Sequence, residues 1–303
     1  MAPPNDTIGR LFPLGGPVPR DLVIGRQGDI DELTRRMKEG LSTMLAAPRR
    51  IGKTTVCTAV CEDLKAEGTL VVEVDVPERT DSRTLLQLIV DACSRISIEE
   101  RGRRAFGVAR PLIEKLLADQ GIPLDLSALG PASSELPARG ILALPVELAR
   151  HHRKRAVVFF DELQRVVDYA DGDELLNDLV DIYGASEHAA ILVDGSDERA
   201  LDGMFSPPVH FGKLVDRLGL DSVIPLASWR APLTDRFNRL GLELPEGSRE
   251  AILEWSGGRP YPTMAACRYT VLSARKTDSD TVSDFDVQMG LDEAERHLRD
   301  DGA

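Results

Sequence analysis

The chain has 303 residues, of which 42% are hydrophobic and 29% are charged; this is the composition of a globular protein, and it excludes disorder over most of the length. The formal net charge of −13 provides no global positive field for sequence-independent binding to nucleic acids or anionic membranes, so any such contact requires a local basic patch. We expect a cytoplasmic protein outside the membrane, because no apolar run approaches the roughly 18 residues of a bilayer span and residues 1–10 lack the apolar core of a signal peptide.

The first 20 residues hold five prolines and three glycines. Proline removes a backbone donor and glycine favours irregular backbone, so this composition opposes a helix or a sheet interior. We therefore predict an extended or disordered arm over residues 1–20.

Short apolar stretches then alternate with helical patterns, as in an α/β fold. This alternation predicts a parallel sheet with helices on both faces, over a core domain at residues 21–228. The predicted strands lie at residues 41–46, 70–75, 156–160, 190–194 and 222–226, and the predicted helices between them at 53–66, 82–96 and 173–183.

Two segments depart from the alternation. Residues 98–137 carry a basic cluster at 101–104, a predicted helix at 111–119 and a stretch rich in proline, glycine and serine, which together indicate an insertion. After residue 228 the pattern is helical throughout, so we predict a small all-helical lid domain at 229–303. Its helices are predicted at 231–240, 248–255, 262–275 and 283–299.

Residues 47–54 match the phosphate-binding pattern G-x-x-x-x-G-K-[ST], with Ala47 in place of the first glycine, between a predicted strand and a predicted helix. Backbone N–H groups of such a loop and of the following helical turn hold phosphate oxygens in one concavity. Lys53 would reach the β- and γ-phosphates and so act in catalysis, and the Thr54 hydroxyl would complete the shell of a Mg²⁺ ion. Ala47 suits the loop if its φ stays negative or the loop opens slightly. The predicted binding residues are Pro48, Arg49, Arg50, Ile51, Gly52, Lys53, Thr54 and Thr55.

A second motif follows the apolar strand at 156–160, which ends in Asp161-Glu162. A buried parallel strand delivers these carboxylates to the edge where open α/β sheets bind ligands. Asp161 would bind Mg²⁺, directly or through water, and Glu162 would orient the water that attacks the γ-phosphate. The alternative is an ordinary strand that ends in acidic residues at the surface, and the order of the two motifs along the chain disfavours it.

These motifs resemble those of AAA+-like P-loop ATPases of the archaeal-type and STAND class, relatives of the origin-recognition ATPases. The resemblance covers residues 22–275. Glutamine replaces the family's usual glutamate in the first motif, and alanine replaces glycine in the second. The matching segments are Gly25-Arg26-Gln27, Ala47 to Thr54, Asp161 to Gln164, Gly195-Ser196 and Gly257-Gly258-Arg259-Pro260-Tyr261.

The resemblance implies further site residues. Ile24, Gly25 and Pro260 would border the adenine, and Ser196 would sense the γ-phosphate or the attacking water. Arg217, just before the predicted fifth strand, would contact nucleotide in cis or across a subunit boundary and offset transition-state charge.

Alternatives remain open for several polar residues of these motifs. Ser196 could instead cap a helix beginning at Asp197, and Arg217 could form a surface ion pair with Asp216 or Asp221. Arg259 could be a surface residue at a helix N-terminus. Arg49 and Arg50 could be a basic loop tip that contacts acidic parts of the chain.

The basic run at residues 150–155 could contact nucleic acid. It carries no interleaved aromatic side chain for base stacking, so solvated charges at the start of a strand are the favoured interpretation.

The sequence therefore predicts an ATPase that binds ATP and Mg²⁺ and uses slow, partner-stimulated hydrolysis as a conformational switch. The alternative is a nucleotide-binding regulatory or scaffold module with little hydrolysis, acting on a protein or DNA partner. A P-loop kinase is disfavoured by the distant Asp-Glu pair and the helical C-terminal region. Expected partners are ATP or ADP, an unidentified protein and possible further copies of the chain in a nucleotide-dependent homo-oligomer. DNA would require the clusters at 101–104 or 150–155.

Overall fold

The computed structural model describes residues 5–78, 80–99, 138–276 and 279–300. The basic cluster at 101–104 and the predicted helix at 111–119 lie outside the described residues. Contacts divide the chain into two compact units, one made of residues 1–31, 47–59 and 220–303 and the other of residues 32–46 and 60–219. The domain boundaries drawn from the sequence stay predictions.

The second unit contains a five-stranded, wholly parallel sheet in the order β2-β3-β4-β1-β5. Four of its strands, β1 to β4, lie at ranges that the sequence pattern predicted, and all seven residues of β4 are buried, as expected for a sheet covered on both faces. The P-loop-type α/β fold is thus confirmed. The strands are β1 (Thr43–Ala46), β2 (Leu70–Asp75), β3 (Ala156–Asp161), β4 (Ala189–Gly195) and β5 (Asp216–Leu218).

The predicted fifth strand at 222–226 was wrong. That segment is not a strand and runs into a helix that begins at Leu226. The fifth strand is instead Asp216–Leu218, a three-residue edge strand that is largely exposed. Hydrophobic patterning cannot identify so short and polar a strand, because it depends on buried apolar residues. Arg217 consequently lies within β5 rather than before a strand.

Helices connect the strands and cover the sheet. Three of them correspond to predicted helices, whereas α2, α5 and α7 had no predicted range. The buried core of this unit combines strand residues such as Val158 and Ile191 with Leu86, Leu144 and Leu176 from the helices. The helices are α2 (Gln27–Glu39), α3 (Lys53–Ala66), α4 (Ser82–Glu99), α5 (Ala138–His152), α6 (Gly172–Gly184) and α7 (Glu198–Phe205), with short 3₁₀ helices at Leu163–Asp168 and Phe211–Lys213.

The first unit has its own apolar core, formed by helices near both ends of the described chain. The four C-terminal helices correspond to predicted ranges within a few residues, except that the first begins five residues earlier. Buried Trp229, Leu233 and Phe237 lie on its first C-terminal helix. The helices are α1 (Asn5–Leu11), α8 (Leu226–Arg239), α9 (Glu246–Ser256), α10 (Pro260–Ala274) and α11 (Asp284–Asp300), with a 3₁₀ helix at Arg20–Leu22.

The prediction of an extended or disordered arm was wrong for residues 5–11, which form α1. The prolines of this segment flank the helix rather than interrupt it, so they do not oppose it. Ile8, Leu11 and Phe12 are buried. Arg236 fixes the segment by donating to the carbonyl oxygens of Leu11, at 2.7 Å, and of Leu22.

No helix within the described ranges is both long enough and apolar enough to cross a membrane.

Candidate functional site

The predicted phosphate loop occupies residues 47–52, between the last residue of β1 and the first residue of α3. Arg50 and Gly52 have φ values of 66° and 94°, whereas Ala47 is not among the residues with positive φ. The alanine therefore does not need the freedom of the glycine it replaces. Alternation of right- and left-handed backbone in such a loop turns successive N–H groups toward one anion.

Lys53 is 5% exposed, and its Nζ donates to the carbonyl oxygen of Pro48 at 2.9 Å. The ammonium group thus lies back across the loop that precedes it. Arg49 and Arg50 are exposed, and the Arg50 guanidinium stacks on the Tyr261 ring at 4.7 Å from its centroid. This Arg50 contact is a cation–π interaction, and the alternative of a basic loop tip that contacts acidic parts of the chain stays a prediction.

The hydroxyl of Thr55 accepts a hydrogen bond from the Val18 N–H at 3.1 Å. Val18 and Thr55 both line a small apolar pocket of about 40 Å³. The structure brings the predicted residues Ile24, Ile51, Gly52, Thr55 and Pro260 together around this pocket. Sequence reasoning missed its other members, which are Val18, Leu22, Val23, Arg26, Ile224, Trp229 and Met264.

Gly25, predicted to border the adenine, is required by the close approach of Ile224. Its φ is 64°, and a Cβ there would lie 2.4 Å from Ile224 Cγ2. Gly258 faces the same residue from the other side, since its Cβ would lie 2.3 Å from the Ile224 carbonyl oxygen, and its own carbonyl accepts from Ile224 N at 3.0 Å. Two glycines of the matched motifs thus enclose Ile224.

Arg26 is a further residue of this region, and the sequence pattern alone gives it no role. It is 5% exposed, and Nη2 donates to the carbonyl oxygens of Ile51 at 3.1 Å and Asp221 at 2.6 Å. Asp29 lies 3.6 Å from Nη1. Burial lowers the pKa of Arg26, opposed by the charges of Asp29 and Asp221. The guanidinium therefore ties the phosphate loop to the segment that precedes α8.

Three carboxylates stand side by side in register at the carboxyl ends of neighbouring strands of the sheet, namely Asp75 on β2, Asp161 on β3 and Asp194 on β4. The pKa of Asp161 is raised to about 7, first by burial and then by the charges of Asp194, Asp75 and Glu162. Arg165 opposes this shift. Such an excess of negative charge fits a divalent cation, which would offset the repulsion.

Among the described residues, no three His, Cys, Asp or Glu side chains converge to form a metal site. Mg²⁺ does not need such a cage, since it is usually held by one or two carboxylates together with phosphates and water. The oxygen donors of Thr54 and Asp161 are of the type that Mg²⁺ prefers. The residues present therefore fit the ion.

Glu162 follows β3 with a left-handed φ of 60°. Its carboxylate accepts hydrogen bonds from Ser196 Oγ, at 2.8 and 3.0 Å, and from Gln164 Nε2. Asp197 Oδ1 accepts from Ala200 N at 3.1 Å at the start of α7, and the alternative that Ser196 caps this helix stays a prediction. Gln164 is 2% exposed. It belongs to the matched motif, but the sequence did not identify it as a hydrogen-bond partner of Glu162.

Arg217 forms a weak surface pair, though with neither predicted partner. Its Nη1 lies 3.7 Å from Asp202, and its guanidinium carbon lies 5.9 Å from the Phe205 ring centroid. Asp216 pairs with Arg36 instead. With 44% of its side chain exposed, Arg217 remains accessible to a ligand.

Arg259 is exposed immediately before α10, and its Nε donates to the Ser256 carbonyl at 3.0 Å. The structure therefore places Arg259 at the surface, at the N-terminus of a helix, as the alternative predicted.

A family model described as an AAA domain matches residues 35–198, more than half of the chain. No curated protein matches the chain.

Three solved structures show the same fold at low sequence identity. The chain is similar to a Walker-type ATPase of Pyrococcus abyssi, with 18% identity over 96% of this chain and 76% of that chain and a TM-score of 0.66. It is similar to the ORC2 protein of Aeropyrum pernix in ADPNP–ADP complexes, with 20% identity, 94% and 72% coverage and a TM-score of 0.64. For the ORC1 protein of Aeropyrum pernix in complex with DNA, identity is 16%, coverage 97% and 71%, and the TM-score 0.63.

Proposed function

The chain belongs to the AAA domain family of nucleotide-binding ATPases, and from this premise we propose that it hydrolyses ATP with Mg²⁺ to drive a conformational switch. The observation that carries the proposal is the end of β3, where a metal-binding candidate, Asp161, is followed directly by a base candidate, Glu162, whose carboxylate is held by Ser196. A strand that simply ended in acidic residues at the surface would not require Glu162 to adopt a left-handed backbone or its carboxylate to accept hydrogen bonds from two side chains.

In this proposal the loop at 47–52 and the first turn of α3 bind the phosphates through backbone N–H groups. Lys53 exchanges its hydrogen bond to the Pro48 carbonyl for phosphate oxygens. The cost of that exchange is small, since a carbonyl acceptor is replaced by a charged one. Ile24, Gly25 and Pro260 border the adenine, which requires the apolar pocket of about 40 Å³ to widen.

Thr54 and Asp161 each supply an oxygen ligand to Mg²⁺, which when bound offsets charge on the β- and γ-phosphates. The raised pKa of Asp161 supports this assignment, because a carboxylate crowded by other acids gains most from a nearby cation. Arg217 and Arg259 are accessible cations for the same phosphates, in cis or from another copy of the chain.

Glu162 orients the attacking water and accepts its proton. Its carboxylate is engaged by Ser196 and Gln164, so these hydrogen bonds must loosen before Glu162 can face a water. We therefore propose that basal hydrolysis is slow and that a partner stimulates it. The same observation favours the second candidate, a nucleotide-binding regulatory or scaffold module with little hydrolysis.

The helical residues 229–303 serve as the lid whose position follows the nucleotide state. The effector is proposed to be a separate protein. DNA and other copies of this chain are further candidates, since the similar ORC1 protein of Aeropyrum pernix is in complex with DNA.

The test compares ATP turnover by the wild type and the Lys53→Ala and Glu162→Gln variants, with Mg²⁺ and with or without a panel of nucleic acids. Lys53→Ala is expected to abolish binding and turnover. Glu162→Gln should bind ATP as tightly as the wild type but lower kcat by about 10² to 10⁴ and hold ATP longer. Turnover equal in wild type and Lys53→Ala would refute the ATPase, and tight binding without turnover under every condition would favour the scaffold module.

A further inference from the structure

A chain of side-chain contacts leads from the tip of the phosphate loop to the last helix of the same compact unit. The Arg50 guanidinium lies over the Tyr261 ring, 4.7 Å from its centroid. The Tyr261 hydroxyl and His297 Nε2 share a hydrogen bond of 2.9 Å, and the Tyr269 ring packs against the same imidazole with centroids 5.7 Å apart. The phosphate loop, α10 and α11 thus meet in one cluster of four side chains, which the function proposed above does not use.

Arg50 is the left-handed residue at the tip of the loop. Its φ is 66°, in a region that is disfavoured for a residue with a Cβ but open to glycine. A loop that alternates right- and left-handed residues turns its N–H groups toward one anion, so this backbone angle belongs to the phosphate-binding geometry. The Arg50 side chain is exposed, so burial does not hold the residue in this conformation. The stack on Tyr261 favours it, because a turn to right-handed backbone would move the guanidinium off the ring.

Contacts on both sides of Arg50 fix the rest of the loop. The Pro48 carbonyl accepts from Lys53 Nζ at 2.9 Å, and the Ile51 carbonyl accepts from Arg26 Nη2 at 3.1 Å. In the proposed function Lys53 leaves Pro48 for the phosphates. After that exchange the tip of the loop is held by Arg26 at Ile51 and, at Arg50, by the stack on the tyrosine ring.

The first turn of α10 lies against the nucleotide region with two consecutive residues. Pro260 lines the apolar pocket together with Ile51 of the loop and Thr55 of α3, and Tyr261 contacts Arg50. A shift of this turn would therefore change the pocket and the loop at once.

The helix α10 is in turn packed closely on α11. A Cβ on Gly290 would lie 2.2 Å from Thr270 Oγ1, so the two helices approach as near as glycine allows. Ser273 Oγ donates to Asp286 Oδ1 at 2.9 Å, and the bond to His297 joins the same two helices at the start of α10. Movement of α10 is therefore transmitted to α11.

We propose that the stack of Arg50 on Tyr261 couples the phosphate loop to α10 and α11. Tyr261 is a positioning residue: it holds Arg50 in the left-handed conformation in which the Arg50 N–H faces a phosphate, while the guanidinium stays on the ring and is not a phosphate ligand. The inference rests on the proposed function in one respect, which is that the loop binds nucleotide. Because coupling is reciprocal, bound nucleotide must stabilise the stack, and with it α10 and α11, by the same factor.

Nucleotide affinity measures this coupling. Binding of a fluorescent ADP to the full chain with Mg²⁺ is followed by anisotropy for the wild type, Arg50→Gln, Tyr261→Leu and the double variant. A cation–π contact at an exposed site changes an equilibrium about two- to fivefold. Each single variant should therefore weaken binding about two- to fivefold. The double variant should be no weaker than either single one, because all three lose the same contact.

A guanidinium that binds phosphate directly gives a different result. Arg50→Gln would then weaken binding in the Tyr261→Leu background as much as in the wild type, and such multiplying factors would overturn the proposal. Arg49→Gln is the matched control, since it removes the neighbouring exposed arginine of the same loop. Whatever factor it costs in the wild type, it should cost in Tyr261→Leu as well. A smaller cost there would mean that Tyr261→Leu disturbs the whole loop, which would also overturn the proposal.

Tyr261→Phe separates the ring from its hydroxyl. This variant keeps a ring for Arg50 and loses the bond to His297, so its affinity for ADP should match that of the wild type. A loss as large as that of Tyr261→Leu would mean that the bond to His297, and not the stack, supports the loop.

Hydrogen exchange tests the reciprocal effect without a change to Tyr261. Saturating ADP should slow amide exchange in α11, residues 284–300, and this slowing should be about two- to fivefold smaller in Arg50→Gln than in the wild type. The slowing in α3, which begins directly after the loop, should be the same in both proteins. Equal slowing of α11 in both would overturn the proposal, even if Tyr261→Leu does not fold.

The outcomes separate this proposal from the ATPase. Wild-type protein that binds ADP without turning over ATP refutes the ATPase, and the same affinities then still decide the coupling. ADP binding with multiplying factors refutes the coupling and not the ATPase. No ADP binding by the wild type refutes both.

Discussion

Replacing Asp161 by asparagine is expected to stabilise the protein, and to do so more strongly as the pH rises. Asp161 lies between two neighbouring strand-end carboxylates, and first its burial and then their charges raise its pKa to about 7, from an ordinary value of 3.8. The folded state therefore retains a proton that the unfolded state has already released. The contribution of this proton to the free energy of unfolding is fully present below pH 4 and is lost as the pH rises through 7.

The magnitude follows from the shift of about three pKa units, each worth 1.36 kcal/mol. This sets an upper bound of about 4 kcal/mol on the free energy of unfolding lost above pH 7. Asp161 is only partly buried, so solvent screening reduces the cost, and we expect about 2 kcal/mol. For a chain of 303 residues that corresponds to a Tm about 3 °C higher for Asp161→Asn at pH 8.

The assay is thermal unfolding of both proteins in half-unit steps from pH 5 to pH 8, without nucleotide. The difference in Tm should grow with pH and level off above pH 7. Millimolar Mg²⁺ at pH 8 should raise the Tm of the wild type and leave that of Asp161→Asn nearly unchanged. Asp168→Asn, which removes an exposed carboxylate from the segment after β3, is the matched control.

A pH-independent difference, or an asparagine variant less stable than the wild type at pH 8, would refute the reasoning. In that case the carboxylates at the strand ends would not be repelling one another, and the structural argument for a cation at Asp161 would fail.

Three other variants or reactions test separate parts of the structure. Gln164→Leu removes one donor from the Glu162 carboxylate and should raise basal kcat by about three- to tenfold; a fall in kcat would mean that Gln164 positions Glu162 for catalysis instead. Gly290→Ala would place a Cβ 2.2 Å from Thr270 Oγ1 and 2.6 Å from the Thr270 amide nitrogen. A denaturant titration should therefore show a loss of about 2 kcal/mol in the free energy of unfolding. Gly28→Ala, which places its Cβ in open space, is the control and should not destabilise the protein. All four cysteines are buried, three with their thiol pKa raised by burial, so a thiol reagent should label none of them until denaturant is added, and rapid labelling of the native protein would contradict the packing.

The inner strands could be predicted from the sequence because each buries both faces and therefore reads as a continuous apolar run. Residues 156–160 and 190–194 show this, and the structure has inner strands at Ala156–Asp161 and Ala189–Gly195. The edge strand Asp216–Leu218 leaves no such run, while the apolar residues at 222–226 serve the other unit, where Ile224 is enclosed by glycines. Hydrophobic periodicity shows that a segment is buried, but it does not show which part of the fold buries it.

The phosphate loop and the acidic pair could be predicted because their function depends on spacing along the chain. The partners of these residues could not, since they come from distant segments. Ser196 reaches Glu162 across 34 positions, and Arg26 reaches Asp221 across 195. A single sequence carries no signal for such distant contacts. Gln164 is the exception, because it lies only two residues after Glu162 in the same motif.

The strand order has a consequence for how the chain folds as it is synthesised. Among the strands of the described residues, β1 pairs with β4 and β5 and with no other. Residue 46 ends β1 and residue 189 begins β4, so at translation rates of about 5 to 20 residues per second β1 waits about 7 to 29 seconds for its first partner. During that interval the apolar residues of β1 are without their neighbours, and β2 and β3 can pair first. The strand on which the phosphate loop depends is thus among the last to be secured, so truncated or stalled chains should lack a nucleotide site and be prone to aggregate.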